Sequence, residues 1–162
     1  MGRVSKANYY LDIAQTVAER STCLRRRFGA IIVKNDSIVS TGYNGAPRGR
    51  INCSDQKFCM REHLNIPRGE RYELCRSVHA EANAIIAASR EEMLDATMYM
   101  ACIEGESDNI VGNICSCAMC KRLILNSGIK TVVVRDTKED YRVIDTHDWI
   151  INDDSMSGQL GY

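Results

Sequence analysis

The strongest constraint on the fold is a strand, helix, strand pattern in the last third of the chain. "TMYMACI" (residues 97–103) is an apolar, strand-like run, and "CAMCKRLILNSG" (residues 117–128) has the apolar spacing of a helix that closes at Gly128. "KTVVVR" (residues 130–135) is a second strand-like run. Elements in this order form a right-handed crossover between parallel strands. The segment therefore predicts an α/β fold.

The first half of the chain adds helices and a β-hairpin. Ser5 is suited to cap a helix that ends near Arg20, and two β-rich runs then meet at Asn35-Asp36, a hairpin signal. A further helix is predicted from Ala80 to about Ser89. The first helix carries apolar residues at helical spacing: Tyr10, Ile13, Ala14, Val17 and Ala18. Together these elements predict a mixed sheet covered by helices on both faces.

Length and composition favour a single domain. The chain has 162 residues, of which 44% are hydrophobic, and this is a normal make-up for one domain with one core. We expect the domain over residues 1–150, a long loop insertion at about 45–77 and a loose polar tail at 151–162. The insertion lacks clear periodicity, and a loop of this length is usually functional or held by specific contacts.

The charge balance argues against a strong electrostatic field around the whole protein. Lys plus Arg and Asp plus Glu number 21 each, so general attraction to nucleic acid or to a membrane is not expected. Any affinity for anions must therefore be local. No apolar run approaches the roughly 20 residues that span a bilayer, and "MGRVSKANYY" has no signal-peptide core. These features predict a cytoplasmic protein.

Eight cysteines are many for a chain without a secretion signal. Thiols stay reduced inside the cell, so metal ligation explains them better than disulfide bonds do. They are Cys23, Cys53, Cys59, Cys75, Cys102, Cys115, Cys117 and Cys120. Cys102 lies in an apolar strand and is interpreted as a small core residue.

The segment "SVHAEANAII" places His79 and Glu81 at the start of a predicted helix. The simpler interpretation is a buried histidine and a carboxylate that the helix dipole stabilises. Cys117 and Cys120 favour a different one, because they share a face in the first turn of the next long helix, where thiolates are stabilised. If both helices follow neighbouring strands of a parallel sheet, they begin at the same edge, and His79, Cys117 and Cys120 form a zinc site.

The number of ligands in this site bears on its role. Three protein ligands leave the fourth zinc position to water, which is typical of a catalytic site. Zinc lowers the pKa of bound water to about 7, and Glu81, two residues from His79, can accept a proton from that water without being a ligand. The arrangement is close to the known signature of zinc deaminases.

Three blocks of sequence resemble the deoxycytidylate (dCMP) deaminases of the cytidine and deoxycytidylate deaminase superfamily. They are "RSTCLRRRFGAIIVKNDSIVSTGYNGAPRG", "VHAEANAI" and "CSCAMCKRLILNSGIKTVVV", and the resemblance covers nearly all of residues 5–145. Within them, "GYNGAPRG" is the most specific piece. Ser116 stands where the family pattern has proline, and serine can cap the helix instead. The resemblance implies a three-layer α/β/α fold of the cytidine deaminase type, with a mixed sheet of roughly five strands.

The resemblance also implies a reaction and the residues that carry it. The three candidate ligands would bind Zn²⁺, and Glu81 would move protons in the hydrolytic deamination of dCMP to dUMP and ammonia, which supplies thymidylate synthesis. Asn44 and Ala80 are implied to bind the substrate. For Asn44, stabilisation of a tight turn between two glycines is the alternative.

A nucleoside monophosphate also needs cationic side chains, and "LRRRFG" and "NGAPRG" supply arginines. Because successive residues of an extended segment point to opposite sides, Arg25, Arg26 and Arg27 cannot all face one phosphate. Arg26 and Arg48 are the predicted phosphate ligands. A solvated basic surface is the alternative for each of them.

The remaining cysteines suggest a second metal site. Some phage and bacterial members of the resembled family carry a structural zinc in this region, and four thiolates would hold a polar loop that burial alone cannot hold. The candidate ligands are Cys23, Cys53, Cys59 and Cys75, with His63 as a substitute. A set of independent thiols is the alternative.

The resemblance further implies a homo-hexamer that dCTP activates and dTTP inhibits, each nucleotide binding with Mg²⁺. A triphosphate pocket needs basic side chains. Arg90, at the predicted end of the His79 helix, is the candidate, with the basic run from Arg25 to Arg27 as a second source. The alternative for Arg90 is an interaction with the dipole of the helix C-terminus.

Other functions remain to be weighed against this one. A nucleic-acid deaminase should show a basic face and stacking aromatic residues, whereas the net charge is zero and 6% of residues are aromatic. A non-enzymatic zinc module would close the coordination sphere, and Cys115 is the only nearby fourth ligand. Among deaminases, dCTP or cytidine are alternative substrates to dCMP.

Overall fold

The computed structural model describes residues 2–158. The helices in this range are α1 (Lys6–Ala18), α2 (Cys53–Gln56), α3 (Met60–His63), α4 (Ala80–Ile86), α5 (Arg90–Met93), α6 (Ala118–Ser127) and α7 (Asp148–Ile151). The strands are β1 (Arg26–Lys34), β2 (Ser37–Tyr43), β3 (Thr97–Glu104), β4 (Thr131–Arg135) and β5 (Tyr141–Asp145). A 3₁₀ turn spans Tyr72–Leu74.

The described strands form a five-stranded sheet in the order β2-β1-β3-β4-β5. β1 is antiparallel to both β2 and β3, and β5 is antiparallel to β4. β3 and β4 are parallel with α6 between them, so the predicted crossover is confirmed. Because β1 reverses direction between β2 and β3, strands β2, β3 and β4 all end at the same edge of the sheet.

Helices cover both faces of the sheet, which confirms the three-layer α/β/α fold. On one face, α4, α5 and α6 contribute Ala84, Met93 and Ile124 to the larger core cluster. On the other face, α1 contributes Tyr10 and Ala14 to a smaller cluster. Alternate residues of β1 serve the two clusters, Ala30 and Ile32 on the first face and Ile31 and Val33 on the second.

Two features fix α1 against the sheet. Gly29 of β1 lies so close to the helix that a Cβ there would stand 2.6 Å from the backbone nitrogen of Ala18. Arg135 of β4 is fully buried beneath the same helix. Its guanidinium donates hydrogen bonds to Asp12 and Gln15, both at 2.8 Å. The second contact matters because a buried cation needs acceptors around it.

Local signals in the first half of the chain are confirmed. The Ser5 side chain accepts a hydrogen bond from the Asn8 backbone N–H at 3.2 Å and caps α1, which ends at Ala18. Asn35 and Asp36 have positive φ values of 50° and 62°. Positive φ at both central residues is what a two-residue turn of type I′ requires, so the hairpin forms where it was predicted.

The structure corrects the helix predicted over residues 80–89. α4 ends at Ile86, and Ser89 caps a separate short helix, α5. The reason is local, since the Ser89 hydroxyl accepts from the Glu92 backbone while the Glu92 carboxylate accepts from the Ser89 backbone. Arg90 is therefore the first residue of α5 and not the end of α4.

The second half of the chain contains two elements that were not predicted, β5 and α7, and the insertion contains α2 and α3. Of the predicted tail, Ile151 belongs to α7, and residues 152–158 are exposed. Residues 159–162 lie outside the described residues. Within the described part of the chain, no helix combines the length and apolar character needed to cross a membrane.

Candidate active site

The sheet topology brings the starts of α4 and α6 together. α4 follows β2 after the insertion, and α6 follows β3. The two strands are not neighbours in a parallel sheet, as the sequence suggested, because the antiparallel β1 lies between them. Both still end at the same edge, so both helices begin there and contact one another.

His79 and Cys117 are the residues immediately before these two helices. Neither side chain caps its own helix through a hydrogen bond, which leaves both side chains to face each other. Cys120 lies one turn into α6 and is buried. The local structure therefore presents three ligand-bearing side chains from two helix N-termini.

The distances within this group match a zinc site. His79 Nδ1 lies 3.4 Å from the sulfur of Cys117 and 3.4 Å from the sulfur of Cys120. All three ligand atoms lie within 4.8 Å of one another. Usual Zn–N and Zn–S bond lengths at a tetrahedral angle place the two ligand atoms about 3.6 Å apart. The residues present thus fit a tetrahedral zinc with one position left for water.

The charges of the site also call for a cation. A hydrogen bond from Cys120 lowers the pKa of the Cys117 thiol, whereas that same bond and burial raise the pKa of Cys120. A hydrogen bond to Cys117 raises the pKa of His79. Two buried thiols this close cannot both ionise unaided, but a divalent metal favours both thiolates and a neutral imidazole.

Glu81 lies beside this group in the first turn of α4. It is buried, with 4% of its surface exposed. Burial raises the pKa of its carboxyl. Ser116 does not cap α6 as the sequence suggested, because Cys117 occupies the cap position. The Ser116 side chain instead points inward, with its hydroxyl 3.5 Å from the sulfur of Met100.

A cavity of about 470 Å³ opens above these residues. Its volume lies within the roughly 300–1,000 Å³ of typical small-molecule pockets. His79, Ala80, Glu81 and Cys117 line it, together with Asn44 at the end of β2. A small molecule in this cavity would therefore touch the candidate metal ligands and the buried carboxyl at once.

Asn44 lines the cavity through a side chain that is already anchored. Its Oδ1 accepts hydrogen bonds from the Phe28 backbone at 2.8 Å and the Ser21 hydroxyl at 2.6 Å. Its Nδ2 donates to the Arg26 carbonyl at 3.0 Å. Neither flanking glycine has a positive φ. Asn44, directly after β2, is thus bonded to the backbone of β1.

The two arginines predicted to bind phosphate lie in different places. Arg26, the first residue of β1, lines the cavity. Arg48 is exposed and is not part of the cavity wall. Arg25 and Arg27 form ion pairs with Glu62 and Asp108, respectively.

The match to known proteins supports what this geometry indicates. Residues 4–136 match the family model described as the cytidine and deoxycytidylate deaminase zinc-binding region. The chain belongs to the cytidine and deoxycytidylate deaminase family. This confirms the resemblance seen in the three sequence blocks.

Named relatives of this family member include deoxycytidylate deaminases from phage and yeast. The protein of Mycobacterium phage D29 is 38% identical over 138 residues, which are 82% of this chain and 96% of the relative. That of Schizosaccharomyces pombe is 34% identical over 131 residues, which are 81% of this chain but only 37% of the relative.

A solved structure supports the family fold. The dCMP deaminase from the cyanophage S-TIM5 in apo form has a TM-score of 0.55 and 25% sequence identity, covering 81% of this chain and 82% of that chain.

The cysteines proposed for a second metal form a looser group in this family member. Cys23, Cys59 and Cys75 line the cavity, and Cys53 is buried. Burial raises the pKa of Cys23, and nearby Cys75 and Cys59 raise it further. Among residues 2–158, however, only His79, Cys117 and Cys120 form a group of three ligand atoms within 4.8 Å of one another. The exposed His63 stacks against Phe58.

Arg90 does not interact with the C-terminus of the His79 helix. It is exposed, and its Nε donates to the Asn126 carbonyl at 3.3 Å, at the C-terminal end of α6. The favourable contact with a helix C-terminus therefore exists, but with a different helix.

Sequence reasoning missed the residues that the insertion places around the cavity. The ring of Tyr72 meets the His79 ring edge-on, with centroids 5.3 Å apart. The guanidinium of Arg61 lies 4.5 Å from the centroid of the Tyr72 ring. Arg68 also lines the cavity. No periodicity or motif marks these three residues, so the sequence offered no signal for them.

Proposed function

We propose that this chain catalyses the hydrolytic deamination of dCMP to dUMP and ammonia, a reaction that supplies dUMP for thymidylate synthesis. The observation that carries the proposal is the placement of three metal-ligand atoms and a buried carboxyl at the floor of one cavity. The names of the phage and yeast relatives support the choice of dCMP as substrate.

His79, Cys117 and Cys120 would hold the zinc ion. Zinc, when bound, supplies the activation of water that makes a nucleophile available near neutral pH. His79 would bind the metal through Nδ1, since that nitrogen faces both sulfurs. The two cysteines contribute negative charge that balances the metal.

Glu81 is the proposed proton shuttle. Its buried carboxyl has a raised pKa, which suits a group that must both accept and release a proton. In the proposed reaction Glu81 takes a proton from the attacking water. It delivers that proton to N3 of cytosine, then takes the second proton from the hydroxyl added at C4 and gives it to the amine, which leaves as ammonia. One water is thus consumed for each ammonia released.

Asn44 and Ala80 are proposed to orient the substrate. The Asn44 Nδ2 carries a second hydrogen besides the one given to Arg26, and Asn44 lines the cavity. Ala80 is the first residue of α4, so its backbone N–H has no acceptor within the helix. Both groups can donate to an acceptor atom on a pyrimidine or a sugar.

The proposal includes a structural zinc at Cys23, Cys53, Cys59 and Cys75. Backbone N–H groups donate to the sulfurs of Cys23 and Cys75, each at 3.5 Å, and such bonds stabilise thiolates. Metal binding would require the four thiols to come closer together. The bound zinc would then hold the insertion in one conformation, and folding of the insertion would depend on the metal.

Control by nucleotides is proposed on the family resemblance. A cytoplasmic homo-hexamer would bind dCTP as activator and dTTP as inhibitor, each with Mg²⁺, and Arg90 is the candidate contact on an exposed surface. The rate should then rise sigmoidally with dCMP, and dCTP with Mg²⁺ should make the curve hyperbolic. A hyperbolic curve that neither nucleotide shifts would show an unregulated enzyme.

Zinc analysis and ammonia release test the reaction itself. The purified chain is incubated with dCMP, CMP, cytidine and dCTP, and we expect zinc in the protein and the fastest ammonia release from dCMP. Faster release from cytidine or dCTP would reassign the substrate. Zinc without release from any of them would favour a non-enzymatic zinc module.

The variant Glu81→Gln tests the proton shuttle. It should keep its zinc and lose at least about 100-fold in turnover, because it removes proton transfer but no ligand. Glu91→Gln, on the exposed surface of α5, is the matched control and should keep full activity. Substantial deamination by Glu81→Gln would remove Glu81 from this role.

A further inference from the structure

Positive charge is concentrated at the cavity although the chain as a whole is neutral. The arginines that line the cavity are Arg25, Arg26, Arg61 and Arg68, and the lining carboxylates are Glu62 and Glu81. Even with both carboxylates ionised, the four arginines outnumber them and leave the cavity lining positive. If the protein binds anions, this cavity is the local positive site that the neutral net charge led us to expect.

Two of these arginines already have partners. Arg25 forms an ion pair with Glu62, with 3.2 Å between Nε and Oε1. Arg61 is 5% exposed and donates to the carbonyls of Glu70 and Pro67. The bonds of Arg61 fold the insertion back on itself and occupy both of its terminal nitrogens. Arg25 already shares its charge with Glu62.

Arg26 and Arg68 are different. Among residues 2–158, neither guanidinium has a hydrogen-bond or ion-pair partner, yet both residues line the cavity. Arg26 is partly buried, and Arg68 is exposed to solvent at the cavity wall.

We infer that Arg68, acting with Arg26, binds the 5′-phosphate of a nucleoside monophosphate and makes the insertion the element that selects a nucleotide over a nucleoside. The inference rests on the proposed function, since it assigns the phosphate end of the same substrate. Arginine suits this task because its planar guanidinium pairs with two phosphate oxygens at once. Two such groups balance the nearly dianionic phosphate at neutral pH.

This assignment replaces the sequence-based choice of Arg48. Arg48 belongs to the motif "GYNGAPRG", but it lies outside the cavity wall, whereas Arg68, which is also exposed, is part of that wall. Arg68 lies in a part of the insertion without any motif, and only the tertiary structure brings it to the cavity. Two arginines still bind the phosphate, but Arg68 of the insertion takes the place of Arg48.

The test compares substrates with and without the phosphate. Arg68→Ala should lower kcat/KM for dCMP by about 10- to 100-fold, the range expected when hydrogen bonds to a charged group are lost. Its kcat/KM for deoxycytidine should change less than about 2-fold, since deoxycytidine carries no phosphate to lose. Arg26→Ala should act in the same direction. Arg50→Ala, an exposed arginine of the insertion outside the cavity wall, is the matched control and should behave as wild type.

Calorimetry with dUMP and deoxyuridine gives the same comparison without turnover. The wild-type chain should bind dUMP more tightly than deoxyuridine, and Arg68→Ala should lose about 10-fold or more of that preference. The charge reversal Arg68→Glu should lose more still. An Arg68→Ala variant that keeps the wild-type preference, or a loss confined to Arg48→Ala, would overturn the inference.

The two proposals fail in different ways. A wild-type chain that releases ammonia from dCMP, with Arg68→Ala equally active, refutes the role of Arg68 and leaves the deaminase intact. A wild-type chain that acts on no cytosine nucleotide refutes the proposed function. In that case the preference for dUMP over deoxyuridine still decides whether Arg68 binds a phosphate.

Discussion

Asp12 is the residue through which the stability of the layered fold can be tested most directly. Its carboxylate, on α1, accepts a hydrogen bond from the fully buried Arg135 and from the exposed Lys138, each at 2.8 Å. Arg135 has 0% of its side chain exposed, whereas Lys138 has 69% exposed. One carboxylate thus pairs with a buried cation and with a solvated one.

The magnitude for Asp12→Asn follows from these environments. Leaving a buried charge without its partner costs about 3–5 kcal/mol. Here Gln15 still accepts from Arg135, and the Asp12 side chain is 40% exposed, so that water can reach the site. We therefore expect a loss nearer to that of one hydrogen bond to a charged group, about 2 kcal/mol. For a chain of this size that loss lowers Tm by roughly 4–8 °C.

The pH dependence has a definite sign. Burial acts to raise the pKa of Asp12, but hydrogen bonds and charge from Lys138 and Arg135 together hold it below its usual value. A carboxyl with a lowered pKa in the folded state adds stability above its unfolded pKa of about 4, and this stability is lost as the pH falls further. The difference between wild type and Asp12→Asn should therefore be full at pH 7 and shrink below about pH 4.

Urea unfolding in zinc-containing buffer, at equal protein concentration, measures the effect. Lys138→Ala is the control, because it removes only the exposed pair and should cost at most about 1 kcal/mol. If Asp12→Asn loses no more than Lys138→Ala, burial of Arg135 does not set the strength of this contact and the reasoning is wrong.

Three further predictions concern the site and the packing. Tyr72→Ala should weaken zinc binding by about 10-fold or more in chelator competition, because it removes the ring that packs against His79, and Tyr72→Phe should restore most of it. Gly29→Ala should lower stability by about 1–3 kcal/mol in urea unfolding, whereas Gly2→Ala, with open space around it, should not. Metal analysis should find two zinc ions in wild type and one in Cys53→Ser; a single zinc in the active wild-type protein would exclude the second site.

The sequence by itself determined the elements whose signals are short-range. Ser5 caps α1 and Asn35-Asp36 turn the hairpin because capping bonds and positive φ values depend on a few adjacent residues. The β3–α6–β4 crossover followed from apolar spacing and from the handedness of such connections. Cys117 and Cys120 could be paired because one helical turn separates them.

Only the tertiary structure decided which distant residues meet. His79 joins the two cysteines because β1 reverses direction between β2 and β3, and nothing local to any of these residues encodes that reversal. Ser116 looked like a helix cap, but its hydroxyl is turned toward Met100, while Cys117 takes the cap position.

The wall of the cavity shows most clearly which residues could not be predicted from the sequence. Arg48 belongs to a recognisable motif and lies outside the cavity wall. Arg68 belongs to a loop without a motif and lines the cavity, although both residues are exposed. The insertion is held by long side chains such as Arg61, which bonds to carbonyls of its own loop, and not by a periodic apolar face. Contacts of this kind are specific to a three-dimensional path of the chain. They leave no repeat in the sequence, so the residues that line the cavity there emerge only when the chain has folded.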